Sequence, residues 1–266
     1  MSTEYSENIK SGDYIQSLER GLLVIQAFSQ ETPTLTISEA AKITGLSRPT
    51  VRRILLTLVH LGFAESKNGS FSLTARTLTL GYAYISSKNI WNMAYPIMRE
   101  FVAQIGESSS ISVLDGTEII YVARVPTKRI MSINLDVGSR LPAYATSMGH
   151  VLLANLQKDE LKKRLDQITL QSFTEKTIAD KQQLLSTLDE VREMGWGGVD
   201  QQFEEGLRSI AVPIKNSEGQ VIAAINCSAH AGRISEEVLQ EEFLPLLLDT
   251  AAKISRAIAT SNSSHF

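Results

Sequence analysis

One cysteine, four histidines and only 6% aromatic residues leave this 266-residue chain short of several chemistries. Cys227 alone permits no disulfide within the chain and gives no sign of an oxidising compartment. The histidines, His60, His150, His230 and His265, share no metal-ligand spacing, so no metal and no other cofactor is expected. No apolar run approaches the length of a membrane span. The opening "MSTEYSENIKSGDYIQS" is polar, without the apolar core of a signal peptide. These absences argue against membrane, secreted and metal-dependent classes, and a soluble cytoplasmic protein is the expectation.

Positive charge is also in short supply, with 26 bases against 29 acids and a net charge of −3, yet it is unevenly spread. Through Ile90 nine bases face seven acids; beyond it 17 face 22. Between Lys42 and Arg76 the bases are Lys42, Arg48, Arg52, Arg53, Lys67 and Arg76, against Glu65 alone. A basic segment in an acidic chain points to a polyanion partner for that segment.

The same segment carries a helix pattern. In "ISEAAKITGLSRPTVRRILLTLVHLGF", Ile37, Ala40 and Ala41 recur at helical spacing, Gly45 interrupts, and Val51, Ile54, Leu55 and Leu58 resume the period. Ser47 is a good N-cap for the second helix and Pro49 is tolerated in its first turn. With the apolar residues inward, Arg48, Pro49, Arg52 and Arg53 fall on or near the outward face of the N-terminal half, the half that a recognition helix places in the major groove. "FAESKNGSFSL" follows as strand, Asn68-Gly69 turn and strand, the wing of a winged helix-turn-helix. The candidate DNA contacts are Ser47, Arg48, Pro49, Thr50, Arg52, Arg53 and, on the wing, Lys67. The plainer reading is a packed helix pair whose arginines are only solvated charge.

Upstream, Leu18, Leu22, Ile25 and Phe28 predict a first helix packing behind these two. Downstream, Thr74 to Met93 reads as a connecting helix with Leu78, Tyr82, Ile85 and Trp91 among its apolar positions, which either contact a second copy or pack on their own chain. A break or kink is expected near Pro96. Beyond it, hairpins across Asp115-Gly116 and Glu218-Gly219, a strand in "RIMSINLDVGSRLPAYA", helices at "HVLLANL", "KDELKKRLDQI" and "DKQQLLSTLDEVREMG", and a terminal helix interrupted near Pro245 predict an α+β domain with a largely antiparallel sheet. The expected division is 14–76 for DNA binding, 77–95 as linker helix and 96–260 as the second domain.

Three blocks carry a resemblance: the first helix with the turn and recognition helices, "GSRLPAYATSMGHVLLA", and the hairpin beginning at Gly206, "GLRSIAVPIKNSEGQVIAAINCS". In these the chain is similar to the isocitrate-lyase-regulator (IclR) family of bacterial transcription factors, and "YVARVPTKRIMSINLDVGSRLPAYATSMGHVLLA" resembles its aromatic-catabolism branch, which includes protocatechuate and β-ketoadipate pathway regulators. The resemblance implies a GAF-like effector-binding domain and homodimers, or dimers of dimers, on partly palindromic double-stranded operator DNA. It further implies a small organic acid effector, either an aromatic acid or a dicarboxylate, and RNA polymerase as a further partner.

A helix starting near Ser147 would turn the N–H groups of Met148 and Gly149 and the Ser147 hydroxyl toward a bound anion. Positions matching the family's ligand contacts add Asp200, Ser209, Asn226 and Ser228, the last two alternating along one strand and so facing one side. Ser147 and Met148 stand where relatives binding small keto acids have glycine and alanine, and Asn226 stands for a serine, which argues against glyoxylate or pyruvate. Arg124, Arg129 and Arg140 flank these segments, either as the cationic partner of the acid or as plain sheet-surface charges. An enzyme using Cys227, with His230 as the nearest base, is the rival from another class, but no orienting acid completes such a set, and catalysis is not expected. A third reading confines the GAF-like module to oligomerisation.

Overall fold

In the N-terminal part, side-chain caps set the helix ends. The computed structural model describes residues 12–29, 31–87, 90–127 and 135–262, which fall into two compact units dividing after Lys88. In the first, α1 (Gln16–Gln26) precedes β1 (Thr34–Thr36), α2 (Ile37–Thr44), α3 (Arg48–His60), β2 (Ala64–Lys67) and β3 (Ser70–Leu73). Thr36 and Glu39 cap α2 reciprocally, and Gly45 ends it at φ 69°, a left-handed conformation that glycine adopts without cost. Ser47 caps α3 by accepting from the Thr50 N–H. Asn68 and Gly69 both have positive φ, 52° and 83°, as the tight two-residue hairpin turn requires. β1 adds a third antiparallel strand against β3 that sequence analysis did not identify. Val51, Leu55 and Leu58 are buried with Leu35 and Phe71.

α1 differs from expectation in the face it buries. Val24 and Ala27 are buried, with Ile25 and Phe28 packed against them, whereas Leu18 and Leu22 are 60% and 47% exposed. The connecting region is a short 3-10 turn followed by α4 (Leu78–Ser87), whose Leu78 and Tyr82 are exposed. A separate helix, α5 (Ile90–Ile105), opens the second unit, and Trp91 belongs to that unit's core. No break occurs at Pro96, which lies inside α5. Proline costs one backbone bond there, and the buried stripe of Trp91, Ala94, Met98 and Phe101 holds the helix through it.

The second unit is a six-stranded antiparallel sheet in the order β6-β5-β4-β9-β8-β7. Its strands are β4 (Ser108–Asp115), β5 (Glu118–Val125), β6 (Arg140–Pro142), β7 (Gly197–Asp200), β8 (Leu207–Lys215) and β9 (Val221–His230). One face packs on α6 (Ser147–Ala154) and, beyond it, α7 (Lys158–Gln167) and α8 (Lys181–Met194); the other packs on α5 and the terminal helix. The terminal helix runs from α9 (Glu236–Val238) through one π-turn (Leu239–Phe243) into α10 (Leu244–Asn262). The expected interruption is thus a π-turn immediately before Pro245, where the missing N–H already loosens the ladder. The strand expected in "RIMSINLDVGSRLPAYA" is β6, while residues 129–134 of that stretch lie outside the described residues.

One irregularity shapes everything on the α6 face. Between Ile111 and Ser112 the β4/β5 register shifts, so Val122 is an extra residue opposite no partner. Strict alternation would send Tyr121 and Arg124 to opposite faces. The bulge brings both to the α6 face while Val122 and Ala123 enter the opposite core.

Candidate functional site

The residues singled out as candidate DNA contacts lie on α3, at its N-cap and on the wing. Ser47, Arg48, Pro49, Arg52, Arg53 and Lys67 are exposed, and Thr50 is half-buried with its hydroxyl 2.8 Å from that of Ser47. None of Arg48, Arg52, Arg53 and Lys67 is drawn into an ion pair among the described residues. These cations are therefore available to phosphate or to base edges. Arg53→Ala is expected to weaken operator binding by about 1–3 kcal/mol if it reads a base edge. Equal weakening on random DNA, measured by anisotropy at fixed salt, would assign it to phosphate alone.

The second site is a cleft over the sheet, under the N-terminal end of α6. Register lays its floor in rows that cross neighbouring strands. One row is Arg124, Ser110, Asn226 and Ala211; beside it run Ser108, Ser228 and Ser209, and on the other side Tyr121, Ser112 and Ala224. Arg124 Nη1 donates to Ser110 Oγ at 3.1 Å. Asn226 Oδ1 accepts from the Ser110 N–H at 3.0 Å, while its Nδ2 donates to Ser228 Oγ at 2.8 Å. Ser147 and Ser209 share a hydrogen bond of 2.9 Å, joining α6 to β8, and Ser112 Oγ lies 3.3 Å from Met148 Sδ. Leu135, Leu141, Val199, Phe203 and Leu207 complete apolar walls around about 560 Å³, counting the open mouth. That mixture of apolar wall with few polar groups suits a small ligand.

Arg124 is the one charged residue in this lining, and no acid pairs with it among the described residues. A half-buried guanidinium without a counter-ion favours an anionic guest. Tyr121 stands one row away, and burial raises its phenol to about 12 despite the opposing pull of Arg124, so it stays protonated.

The structure brings Arg124, Ser147, Met148, Ser209, Asn226 and Ser228 together. Gly149 is not on the wall. Its N–H bonds Thr146 Oγ1, the residue that caps α6, at 3.2 Å, so it is not open to an anion as expected. The α-carbon of Gly149 instead packs on the backbone of Ala143, too closely for any side chain. Asp200 is also elsewhere. Val199 points into the cleft, and strand alternation turns Asp200 away, into a second hollow with Glu190, Trp196 and Arg208. Burial alone would raise the Asp200 carboxyl, but bonds from Arg208, at 2.7 Å, and Lys176 outweigh that and hold it low. Arg140 pairs with Asp115 and Glu118 at 2.7 and 2.8 Å on the hairpin end, as a sheet-surface charge. Arg129 lies outside the described residues.

Sequence reasoning missed Tyr121, Ser110 and Phe203. Ser108, Ser110 and Ser112 did carry a signal, three hydroxyls at period two on one strand. The segment around Gln171 went unnoticed as well. Tyr144 clamps Gln171 through both its backbone groups, at 2.9 and 2.8 Å. Phe173 then stands between the Tyr144 ring, 6.2 Å away, and the Phe203 ring, 4.9 Å away.

A winged helix-turn-helix with free arginines, followed by an α+β unit enclosing an anion-suited cleft, defines a transcription regulator that responds to a ligand. The chain matches the IclR helix-turn-helix domain over residues 17–67 and the bacterial transcriptional regulator IclR C-terminal domain over 82–256, and it belongs to the IclR family. It is 44% identical over 237 residues to the Pca regulon regulatory protein of Pseudomonas putida, covering 89% of this chain and 81% of that one. It is 36% identical over 258 residues to the p-hydroxybenzoate hydroxylase transcriptional activator of Acinetobacter baylyi, covering 95% of each. The crystal structure of a putative transcriptional regulator from Rhodococcus sp. RHA1 superposes with TM-score 0.82 at 46% identity, covering 93% of this chain and all of that one.

Proposed function

We propose that this regulator controls genes for aromatic acid catabolism, and that its effector is an aromatic acid or a related dicarboxylate whose carboxylate sits on Arg124. The single observation carrying this reading is the Arg124 guanidinium, which has no acid paired with it and is the one charge in the cleft lining among the described residues. The Ser147–Ser209 bond and the Asn226–Ser228 bond supply neutral donors and acceptors around it. The names of the two relatives, a Pca regulon regulator and an activator for p-hydroxybenzoate hydroxylase, favour the aromatic branch. Residues 14–76 serve DNA and the fold from Ile90 onward serves the effector, with α4 between them.

The working form is a homodimer or a dimer of dimers on a partly palindromic operator, in the cytoplasm, with RNA polymerase as a further contact. Support for self-association comes from α1 and α4, where Leu18, Leu22, Leu78 and Tyr82 present exposed apolar surface. Catalysis plays no part. Cys227 is fully buried, and burial, reinforced by the Glu107 charge, raises its thiol far above the ordinary range, so no thiolate nucleophile is on offer.

Thermal unfolding against 4-hydroxybenzoate, protocatechuate, β-ketoadipate, cis,cis-muconate, glyoxylate and pyruvate tests the effector class. A native-state ligand at a hundred times its Kd stabilises by about 2.7 kcal/mol. A concentration-dependent rise with an aromatic-pathway acid, and none with glyoxylate or pyruvate, is the expected outcome. A rise only with the two small keto acids would overturn the assignment.

A further inference from the structure

Tyr121 is 4% exposed and lines the cleft, yet its hydroxyl has no hydrogen-bond partner among the described residues. The oxygen is not among the fully enclosed polar atoms that lack a partner, so it opens onto the cleft, where a guest can bond it. Around it the other polar atoms of the floor are committed: Ser110 to Arg124, Ser112 to Met148, and Asn226 to both Ser110 and Ser228. The Val122 bulge is what sets this phenol on the same face as Arg124, one row along the sheet. Adjacent rows on one face are separated by roughly 7 Å. Side chains rooted in adjacent rows of one face can engage two oxygen functions of one small acid.

Resting on the reading of the cleft as the effector pocket, we infer that Tyr121 is its specificity-determining residue: its phenol bonds a hydroxyl or keto oxygen of the effector while Arg124 holds the carboxylate. Because the phenol remains protonated, it can donate to that oxygen or accept from it. A site built around such a bond disfavours the analogue that lacks the oxygen, since the buried phenol is then left without a partner. Arg124 alone has no means of making that distinction, because both analogues carry the same carboxylate. Phe203, at the cleft wall with Phe173 behind it, supplies an apolar face for what lies between the two polar ends.

The test uses matched pairs of acids that differ by one oxygen function, 4-hydroxybenzoate with benzoate and β-ketoadipate with adipate. Each is titrated calorimetrically into the full chain, into Tyr121→Phe and into Arg124→Gln. The wild-type chain is expected to prefer the oxygenated member of one pair by about 10- to 100-fold. In Tyr121→Phe, whose ring still fills the same space, that ratio should collapse to within about threefold, through loss of the oxygenated member alone. Unfolding temperature without ligand verifies that the variant is folded. A preference that persists in Tyr121→Phe overturns the inference, as does a wild-type chain that binds acids without distinguishing the members of either pair. Wild-type affinities in Arg124→Gln would instead sink the pocket reading on its own, whatever Tyr121 does. Binding of none of the four acids by the wild-type chain would sink both.

Discussion

Gly149→Ala is expected to lower the stability of the effector unit by about 3 kcal/mol or more, the upper end of what overpacking costs. A methyl group there would stand 2.5 Å from the carbonyl carbon of Ala143 and closer still to its Cα and oxygen. Those atoms belong to the 3-10 turn Ala143–Ala145, which is itself buried, so it has no room to retreat. His150, one residue further along α6, is fully buried with its Nε2 2.6 Å from the Tyr144 carbonyl, which pins the same turn. Burial draws the His150 pKa below its ordinary value, the Tyr144 bond opposing only in part, so the ring sits there neutral. Displacing the turn therefore strains α6, the Ser147–Ser209 bond and the Gln171 segment held by Tyr144 together. Differential scanning calorimetry should show a drop of about 6–12 °C. Gly21→Ala, in α1 where a methyl meets nothing within 4 Å, is the control and should be neutral or stabilising by up to about 1 kcal/mol. Equal behaviour of the two variants would contradict the packing argument.

Arg124→Gln is expected to weaken the effector by about 2–4 kcal/mol, roughly 30- to 1,000-fold, because truncating one partner of a desolvated charge pair also strands the other. Glutamine keeps donors for Ser110 and much of the length of the side chain, so the loss reads charge rather than shape. Arg140→Gln removes a charge of the same sign from the same sheet, but one already paired with Asp115 and Glu118 at the surface. Exposed pairs contribute little. Isothermal titration of both variants with the acid that stabilises the wild-type chain separates a local contact from a general field. A similar loss in each would assign the effect to net charge.

How far these features were legible in sequence depended on whether local chemistry or tertiary packing decided them. The recognition helix was legible because Gly45, Ser47 and Pro49 act within a turn of where they stand, and the wing because Asn68-Gly69 permits few conformations. Asn226 and Ser228 were placed on one face by alternation alone, and both reached the cleft. The same alternation, applied to Val199 and Asp200, would have excluded Asp200, which was carried over from the family resemblance instead. Tyr121 was beyond reach, and Arg124 was named as a flanking cation with no sign of which face it takes. Their shared face depends on a register shift at Val122, and a bulge is a property of the strand pair, invisible in either strand. Gly149 looked like an anion-facing residue because N–H groups at a helix start are unpaired donors; here its N–H is taken by Thr146 and its α-carbon packs on Ala143. Leu18 and Leu22 misled because helical spacing reports that a stripe exists and not which surface covers it. Pro96 misled because the burial of α5 outweighs one missing hydrogen bond.

An acid seated at Arg124 is expected to change the affinity of the winged helices for DNA. Only a difference in the acid's affinity for two arrangements of the protein produces such an effect, typically about 5- to 150-fold in coupling. The direct measurement is anisotropy of an operator selected by this chain from random DNA, titrated at fixed salt with and without saturating acid, for the wild-type chain and for Arg124→Gln. The acid is expected to shift wild-type operator affinity by a factor in that range, in either direction. No shift is expected in Arg124→Gln at the same acid concentration. A shift of equal size in both proteins, or an acid that binds the wild-type chain tightly and leaves operator affinity untouched, would contradict this coupling.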